Sequence, residues 1–264
     1  MGKEQLLGTR DLNNLYLQQI NFMEKTVSEA IAYRRSCRVY KNEPIDTNKV
    51  KQCIENAVLA PTSSNLQLWE FYHITNKDVI NKLAVACFNQ NAAKTAQQLV
   101  VVLARKDLWR KRCKANIDFL NKAFDKPDLE ERLLKRKKMG MNYYQKVMPV
   151  TYFDFLGIFG MLKYLIFQII GLFRPIYRQA RLSDMRIVAH KSAGLAAQNF
   201  MTSMAAIGYD TCPMEGSDTL RVKRILGIPW RAEINMIIGC GLRDENGIYG
   251  SRFRVPFEEV YHQI

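Results

Sequence analysis

Hydrophobic and polar positions along the chain follow two patterns. Apolar residues that return every three or four positions, with polar residues between them, predict amphipathic helices. Such stretches lie at 25–36, 45–61, 77–88, 184–207 and 219–228. Asp46 or Thr47 caps the second of these helices, and Ser217 or Asp218 caps the last. Short runs rich in β-branched and aromatic residues predict strands at 69–74, 99–104 and 234–241, and "GYDTCPMEGSD" (208–218) is predicted as a loop.

The order of these elements predicts the fold class. Helices outnumber strands, and the two do not alternate regularly, as parallel β-α-β units would require. We therefore expect an α+β protein. Length alone leaves one large domain or two small ones open, and the stretch 105–183, called the insertion below, is basic in one part and apolar in another.

The insertion contains an unusual apolar run. Residues 152–173 include only Asp154 and Lys163 as charged positions, and 22 residues are long enough to cross a bilayer. If strands 99–104 and 234–241 share one sheet, however, a single crossing would place them on opposite sides of the membrane. Two interpretations stay open: the run covers a substrate pocket, or it enters one leaflet with its basic flanks on anionic headgroups.

Charge, cysteines and the opening segment narrow the function classes. The net charge is +14, and 105–183 holds 18 Lys and Arg against 7 Asp and Glu. This stretch lacks interleaved aromatic residues for base stacking, so we expect no nucleic-acid partner. The six cysteines have no metal-ligand spacing, so we expect reduced thiols and no metal site. Reduced thiols predict a cytoplasmic protein, and membrane association is the alternative. "MGKEQLLGTRDLNN" has no export signal.

Four separated segments are polar in a way that their neighbours are not: "RRSCR" (34–38), "PTSSNLQ" (61–67), "PMEG" (213–216) and "RFR" (252–254). Each alone is weak evidence, because basic residues after a helix are usually a solvated end. Guanidinium forks hold phosphate oxygens in fixed geometry, whereas hydroxyl and amide side chains suit the edge of a planar ring. Together the segments predict an anionic, planar ligand.

In these segments the sequence resembles the nitroreductase family of flavin-dependent oxidoreductases. The resemblance rests on "AIAYRRSCRVY", "APTSSNLQLWEF", "AAIGYDTCPMEGSDTLRVKRILGIP" and "RFRVPFEEV", in this order, and covers 25–104 and 184–264. It implies a nitroreductase-like fold, with a central, mainly antiparallel sheet flanked by helices. It also implies a single FMN-binding domain over 1–264, with 105–183 as a long helical insertion. The domain would form a homodimer whose subunits exchange C-terminal arms and hold FMN in two interface pockets.

The resemblance also implies roles for individual residues. The backbone N–H of Glu215 or Gly216 would point at flavin N5, and Arg38 would face the charge at N1 and O2. The implied FMN-binding residues are Arg34, Arg35, Ser36, Arg38, Pro61, Thr62, Ser63, Ser64, Asn65, Gln67, Pro213, Met214, Glu215, Gly216, Arg252 and Arg254. One of Asn89, Gln90 and Asn91 is expected to contact the flavin as well.

The implied activity is an FMN-dependent oxidoreductase with NADH or NADPH as co-substrate. A ping-pong mechanism would reduce an electron-poor small molecule, such as a nitroaromatic or a quinone. Two alternatives remain: the same flavin scaffold performing dehalogenation, dehydrogenation or flavin breakdown, or a membrane-surface protein with a vestigial flavin site. In the second alternative, 135–181 would make the membrane contact.

Overall fold

The core of the protein is a four-stranded antiparallel sheet. The computed structural model describes residues 24–125, 130–155 and 157–264, so the opening segment, on which the expectation about export rests, lies outside the described residues. The strands are β1 (Trp69–Ile74), β2 (Gln98–Ala104), β3 (Asp210–Met214) and β4 (Glu233–Gly241), in the spatial order β1-β2-β4-β3. All three pairings are antiparallel, which confirms the predicted sheet and the α+β class.

Helices flank this sheet and build the insertion. They are α1 (Val27–Tyr33), α2 (Thr47–Ala57), α3 (Lys77–Ala86), α4 (Asn91–Lys94), α5 (Trp109–Ala123), α6 (Glu131–Asn142), α7 (Met148–Tyr152), α8 (Ile158–Phe173), α9 (Leu182–Ala206) and α10 (Thr219–Leu226). All five helices predicted from the sequence are present. The caps are Asp46, which accepts from the Asn48 N–H, and Asp218, which accepts from the Arg221 N–H.

The prediction of a loop over 208–218 was wrong in part, because residues 210–214 form β3. The sequence hides this strand: Asp210 and Thr211 are polar, and Pro213 cannot donate to a ladder. The strand exists because it lies at an edge of the sheet and pairs only with β4, where Pro213 faces Ile238. An edge strand needs partners on one side only, which is where proline is tolerated.

Two hydrophobic cores lie on opposite faces of the sheet. Val100 and Val102 of β2 pack in the core that contains α2 and α9, with Phe200 of α9 fully buried. Val101 and Leu103 pack in the core that contains α3 and α10. Every residue of β2 is buried, because the strand is central and covered on both faces, and this explains its uninterrupted apolar sequence.

The insertion leaves the sheet after β2 and returns through α9, and β2 and β4 are neighbours in one sheet. The pairing on which the argument against a single membrane crossing depended is therefore confirmed. The segment is helical as predicted, with a π-helical turn at Tyr143–Val147 joining α6 to α7. Within the described ranges, none of the helices has the length and apolarity that crossing a membrane requires.

Candidate active site

The segment after α1 lies along the edge strand β3. Ser36 forms a parallel bridge with Thr211, and the Cys37 N–H donates to the Thr211 carbonyl at 3.1 Å. The Arg38 N–H donates to the Gly247 carbonyl at 2.6 Å. The fold thus places 34–38 beside the strand that ends in 213–216, two segments that are far apart in sequence.

A buried carboxylate fixes this arrangement. Asp210, only 3% exposed, accepts from Arg243 Nη2 at 2.6 Å and from the Tyr33 hydroxyl at 3.1 Å. Burial, followed by the charge of Asp210, raises the pKa of Tyr33 to about 12, so the hydroxyl stays protonated and donates. The triad joins the end of α1, the start of β3 and the segment after β4. Nothing in the local sequence around Tyr33, Asp210 or Arg243 predicts this triad.

Arginines from both ends of the described chain converge next to it. Arg252 Nη2 donates to the carbonyls of Ala32 and Arg34 at 2.7 and 2.8 Å and so caps the end of α1. Burial, and then the positive charges of Arg252 and Arg254, lower the pKa of Arg34. No ion pair recorded for the described residues involves these three guanidinium groups. Within the described ranges, the positive charge of the cluster is therefore not offset by an ion pair.

Free donors lie at the end of β3. The backbone N–H groups of Glu215 and Gly216 donate to no acceptor within the described part of the chain, and both residues are exposed. Ser217 Oγ is buried and has no partner there. Gln90 Nε2 donates to the Gly216 carbonyl at 3.0 Å. Of the three residues among which the sequence could not decide, Gln90 is therefore the one bonded to this loop.

Arg38 lies near Tyr249 and near Cys212 of β3. Its guanidinium stands over the ring of Tyr249 at 5.5 Å, and the Tyr249 hydroxyl accepts from Asn91 Nδ2 at 3.2 Å. Burial raises the pKa of Cys212, and the charges of Arg38 and Arg34 oppose this shift. Both guanidinium groups therefore act on the Cys212 thiol of β3. The thiol itself is buried, as expected for a small apolar residue.

The second predicted segment, 61–67, contacts the insertion. No hydrogen bond or ion pair among the described residues connects it to the arginine cluster. Ser64, Asn65 and Gln67 have φ values of 55°, 49° and 47°, the left-handed region that costs a residue other than glycine free energy. Ser64 Oγ lies 2.6 Å from the Tyr143 hydroxyl. One chain thus brings together three of the four predicted segments, and the fourth contacts the insertion.

The insertion forms a cavity of about 590 Å³ next to this strained turn. Its wall is mainly aromatic and aliphatic, and among the described residues that line it only Lys146 is charged. Lining residues include Ser63, Ser64, Tyr143, Tyr152, Phe167, Tyr177, Met185 and Val188. A cavity of this size and polarity suits an apolar small molecule. If the insertion covers a substrate pocket, this cavity is the pocket that it would cover.

Comparison with known proteins agrees with the resemblance to the nitroreductase family. Residues 31–242 match the model of the nitroreductase family. SERP2086 of Staphylococcus epidermidis, which bears the name of an NAD(P)H nitroreductase, is 25% identical over 88% of this chain and 94% of its own. The structure of ydfN from Bacillus subtilis has a TM-score of 0.67 at 23% identity and covers 90% of this chain and 98% of its own. A protein from Exiguobacterium sibiricum, solved in complex with FMN, has a TM-score of 0.63 at 22% identity over 92% and 99%.

Proposed function

The chain belongs to the nitroreductase family of oxidoreductases, which confirms the resemblance seen in its motifs, and from this premise we propose that it is an FMN-dependent enzyme. It uses NADH or NADPH to reduce an electron-poor acceptor such as a nitroaromatic or a quinone. The observation that carries the proposal is the cluster of Arg34, Arg252 and Arg254, in which the positive charges of Arg252 and Arg254 lower the pKa of Arg34 and which no described carboxylate pairs. Bound FMN would supply a centre that takes a hydride from the nicotinamide and passes two electrons to the acceptor.

The arginine cluster fits the phosphate of FMN. A phosphomonoester carries nearly two negative charges at neutral pH, and each charge-assisted hydrogen bond to a guanidinium contributes about 1.5–3 kcal/mol. Arg34, Arg252 and Arg254 would hold the phosphate. Arg35, which donates to the Gly250 carbonyl at 3.0 Å, and Ser36 would position the segment around it.

The end of β3 and Arg38 fit the flavin ring. The N–H groups of Glu215 and Gly216, which have no acceptor among the described residues, would donate to its edge, while Pro213 and Met214 set the path of the loop. Arg38 would offset negative charge that develops on the ring. A cation about 4 Å away at an effective dielectric constant near 20 is worth about 4 kcal/mol before desolvation. Gln90 completes this side of the site.

We also propose that the active unit is a homodimer. Among the described residues, no hydrogen bond or ion pair joins the segment 61–67 to the arginine cluster of its own chain. Its residues Pro61, Thr62, Ser63, Ser64, Asn65 and Gln67 would therefore complete the site of a second copy. Residues 251–264 are exposed throughout, including Phe253, Phe257 and Tyr261 at 76%, 64% and 52%. Exposed apolar side chains in a terminal segment suit an arm that packs on a partner subunit.

The two substrates would use the same site in turn, which gives ping-pong kinetics. Dehalogenation or dehydrogenation on the same scaffold would give different products, so a product screen with reduced enzyme separates these reactions. All six cysteines are free thiols, which agrees with a reducing compartment. We therefore propose a cytoplasmic enzyme, with peripheral membrane contact through 135–181 as the alternative.

The test is the visible absorption spectrum of protein purified with excess FMN, followed by initial rates of NADH and NADPH oxidation. We expect a yellow protein and parallel lines in double-reciprocal plots. Arg34→Gln should lose the flavin, whereas Arg224→Gln, which changes an exposed arginine of α10, should keep it. A colourless protein that oxidises neither NADH nor NADPH with any acceptor would overturn the proposal.

A further inference from the structure

The outer face of α8 is apolar, and no described residue of the chain covers it. Ile158, Leu162, Leu165, Ile169, Leu172 and Phe173 recur every three or four residues and so share one side of the helix. Leu165, Ile169, Leu172 and Phe173 are 53%, 61%, 77% and 83% exposed. Contiguous exposed side chains of this kind mark interaction surfaces.

The charged residue of α8 is turned away from this face. Lys163 Nζ donates to the carbonyls of Val150 and Phe153 at 2.9 Å, so it caps the end of α7 inside the insertion. Phe167, on the side of α8 opposite Ile169, lines the cavity beside Ser63 and Ser64. The helix therefore presents apolar residues outward and holds the cavity wall inward.

Basic residues lie at the C-terminal end of the apolar face and are frequent in the flanking sequence. Positions 131–181 contain ten Lys and Arg against two Asp and Glu. Arg174 is exposed directly after Phe173, and Arg178 Nη1 donates to Gln168 Oε1 at 2.7 Å, which places a second cation beside the end of α8. A second copy of the chain on this face would bring the same cations together, which disfavours it. An anionic lipid surface offers both an apolar layer and negative headgroups.

We propose that α8 docks in the plane of an anionic membrane surface, with its outer face among the acyl chains and the basic residues at the headgroups. The helix has 16 residues and is about 24 Å long, which is shorter than the hydrocarbon core of about 30 Å and suits an in-plane position. Docking would place the cavity wall formed by Phe167 next to the bilayer.

This placement names an acceptor class, an inference that rests on the proposed function. The acceptor is a lipid-dissolved quinone that reaches the cavity from the membrane. The reaction balances as NAD(P)H, one proton and quinone giving NAD(P)⁺ and hydroquinone: the quinone takes a hydride equivalent, and the proton comes from solvent. The mainly apolar wall of the cavity suits such a molecule.

The docking test is co-sedimentation of the full chain with phosphatidylcholine vesicles that contain or lack phosphatidylglycerol. We expect binding to the anionic vesicles only, weakened by salt. The triple variant Leu165→Gln, Ile169→Gln, Leu172→Gln should bind at least tenfold more weakly, by the order of magnitude expected for apolar burial.

A matched control comes from Val85→Gln, Leu220→Gln and Trp230→Gln together, because these side chains are 53%, 65% and 78% exposed on other elements. The control should bind vesicles like the wild type, and circular dichroism should show both triple variants folded. Docking is refuted if the wild type does not sediment with anionic vesicles, or if the α8 variant binds as tightly as the control. Docking is also refuted if the α8 variant loses self-association and not vesicle binding, because the face would then be a contact between copies of the chain.

The acceptor test compares a long-chain quinone in anionic vesicles with a short-chain, water-dissolved quinone. We expect the α8 variant to lose most of its rate with the first and to keep its rate with the second. Equal loss with both quinones refutes the acceptor class alone. Absence of NAD(P)H oxidation with both quinones in the wild type refutes the proposed function instead, while vesicle binding still decides the docking.

Discussion

Replacing Arg254 by glutamine tests the arginine cluster most directly. Among the described residues, the Arg254 guanidinium donates only to the adjacent Phe253 carbonyl, and its charge lowers the pKa of Arg34. The substitution removes one charge and keeps most of the side-chain volume. If one charge-assisted hydrogen bond to the FMN phosphate is lost, the binding free energy falls by about 1.5–3 kcal/mol. The Kd for FMN should rise by a factor of about 10 to 150.

The loss of FMN affinity in Arg254→Gln should not be accompanied by a loss of thermal stability in the flavin-free protein. Arg254→Gln relieves repulsion with Arg34, so the Tm of the flavin-free protein should stay unchanged or rise. Arg252→Gln should weaken FMN binding and also lower the Tm, because it removes the hydrogen bonds to the Ala32 and Arg34 carbonyls. A structural role for both arginines would lower the Tm in both variants.

The assay is titration of FMN fluorescence at two salt concentrations, combined with thermal unfolding of the apoprotein. Arg254→Gln should also show a smaller loss of affinity with salt than the wild type, because one ionic contact is gone. Arg224→Gln serves as the control and should bind FMN normally. Wild-type affinity of Arg254→Gln at low salt, or a clear drop in its Tm, would contradict the reasoning.

Three further predictions concern stability. Asp210→Asn leaves the charge of Arg243 without its buried counter-ion and should lower the free energy of unfolding in urea by about 3–5 kcal/mol; a loss below about 1 kcal/mol would contradict the anchoring role. Asn116→Leu removes the bonds to Asn65 and should cost about 1–3 kcal/mol in the same assay, whereas an unchanged midpoint would show that the insertion is held otherwise. Burial raises the pKa of the Cys87 thiol to about 11. The stability that comes from keeping this thiol protonated is therefore complete below the pKa of the unfolded state, near 9, and is lost as the pH rises toward 11. Cys87→Ala should therefore flatten the alkaline fall of the unfolding free energy by about 1.4 kcal/mol per pH unit, and parallel pH profiles would refute this.

The elements that could be predicted from the sequence are those whose burial leaves a periodic trace. Strand β2 is buried on both faces and reads as an apolar run, and the helices show one apolar side each. Strand β3 leaves no such trace, because an edge strand with Pro213 and polar Asp210 looks like a loop. Its existence depends on pairing with β4, which is a long-range fact.

The candidate site shows the same division. The arginines of 34–38 and 252–254 could be identified by residue type, because guanidinium groups are the usual choice for a phosphate. The buried pair that positions them could not, since Arg243 and Asp210 are 33 residues apart and nothing local marks either as a partner. The position of the Lys163 side chain, which points into the insertion, could not be predicted from the sequence either. Sequence alone showed an apolar run with one internal cation, and only the carbonyl groups at the end of α7 explain where the cation lies.

The strained turn at 64–67 gives the insertion a second role. Residues such as Ser64 and Gln67 hold left-handed backbone conformations, which persist only when surrounding contacts enforce them. Those contacts come from the insertion: the Tyr144 hydroxyl donates to the Ser64 carbonyl at 3.0 Å, and Asn116 Nδ2 donates to the Asn65 carbonyl at 3.0 Å. Under the proposed dimer, this turn meets the FMN of the other subunit. Changes in the insertion should therefore alter flavin binding in one subunit and the acceptor cavity of the other together, because the same helices support both.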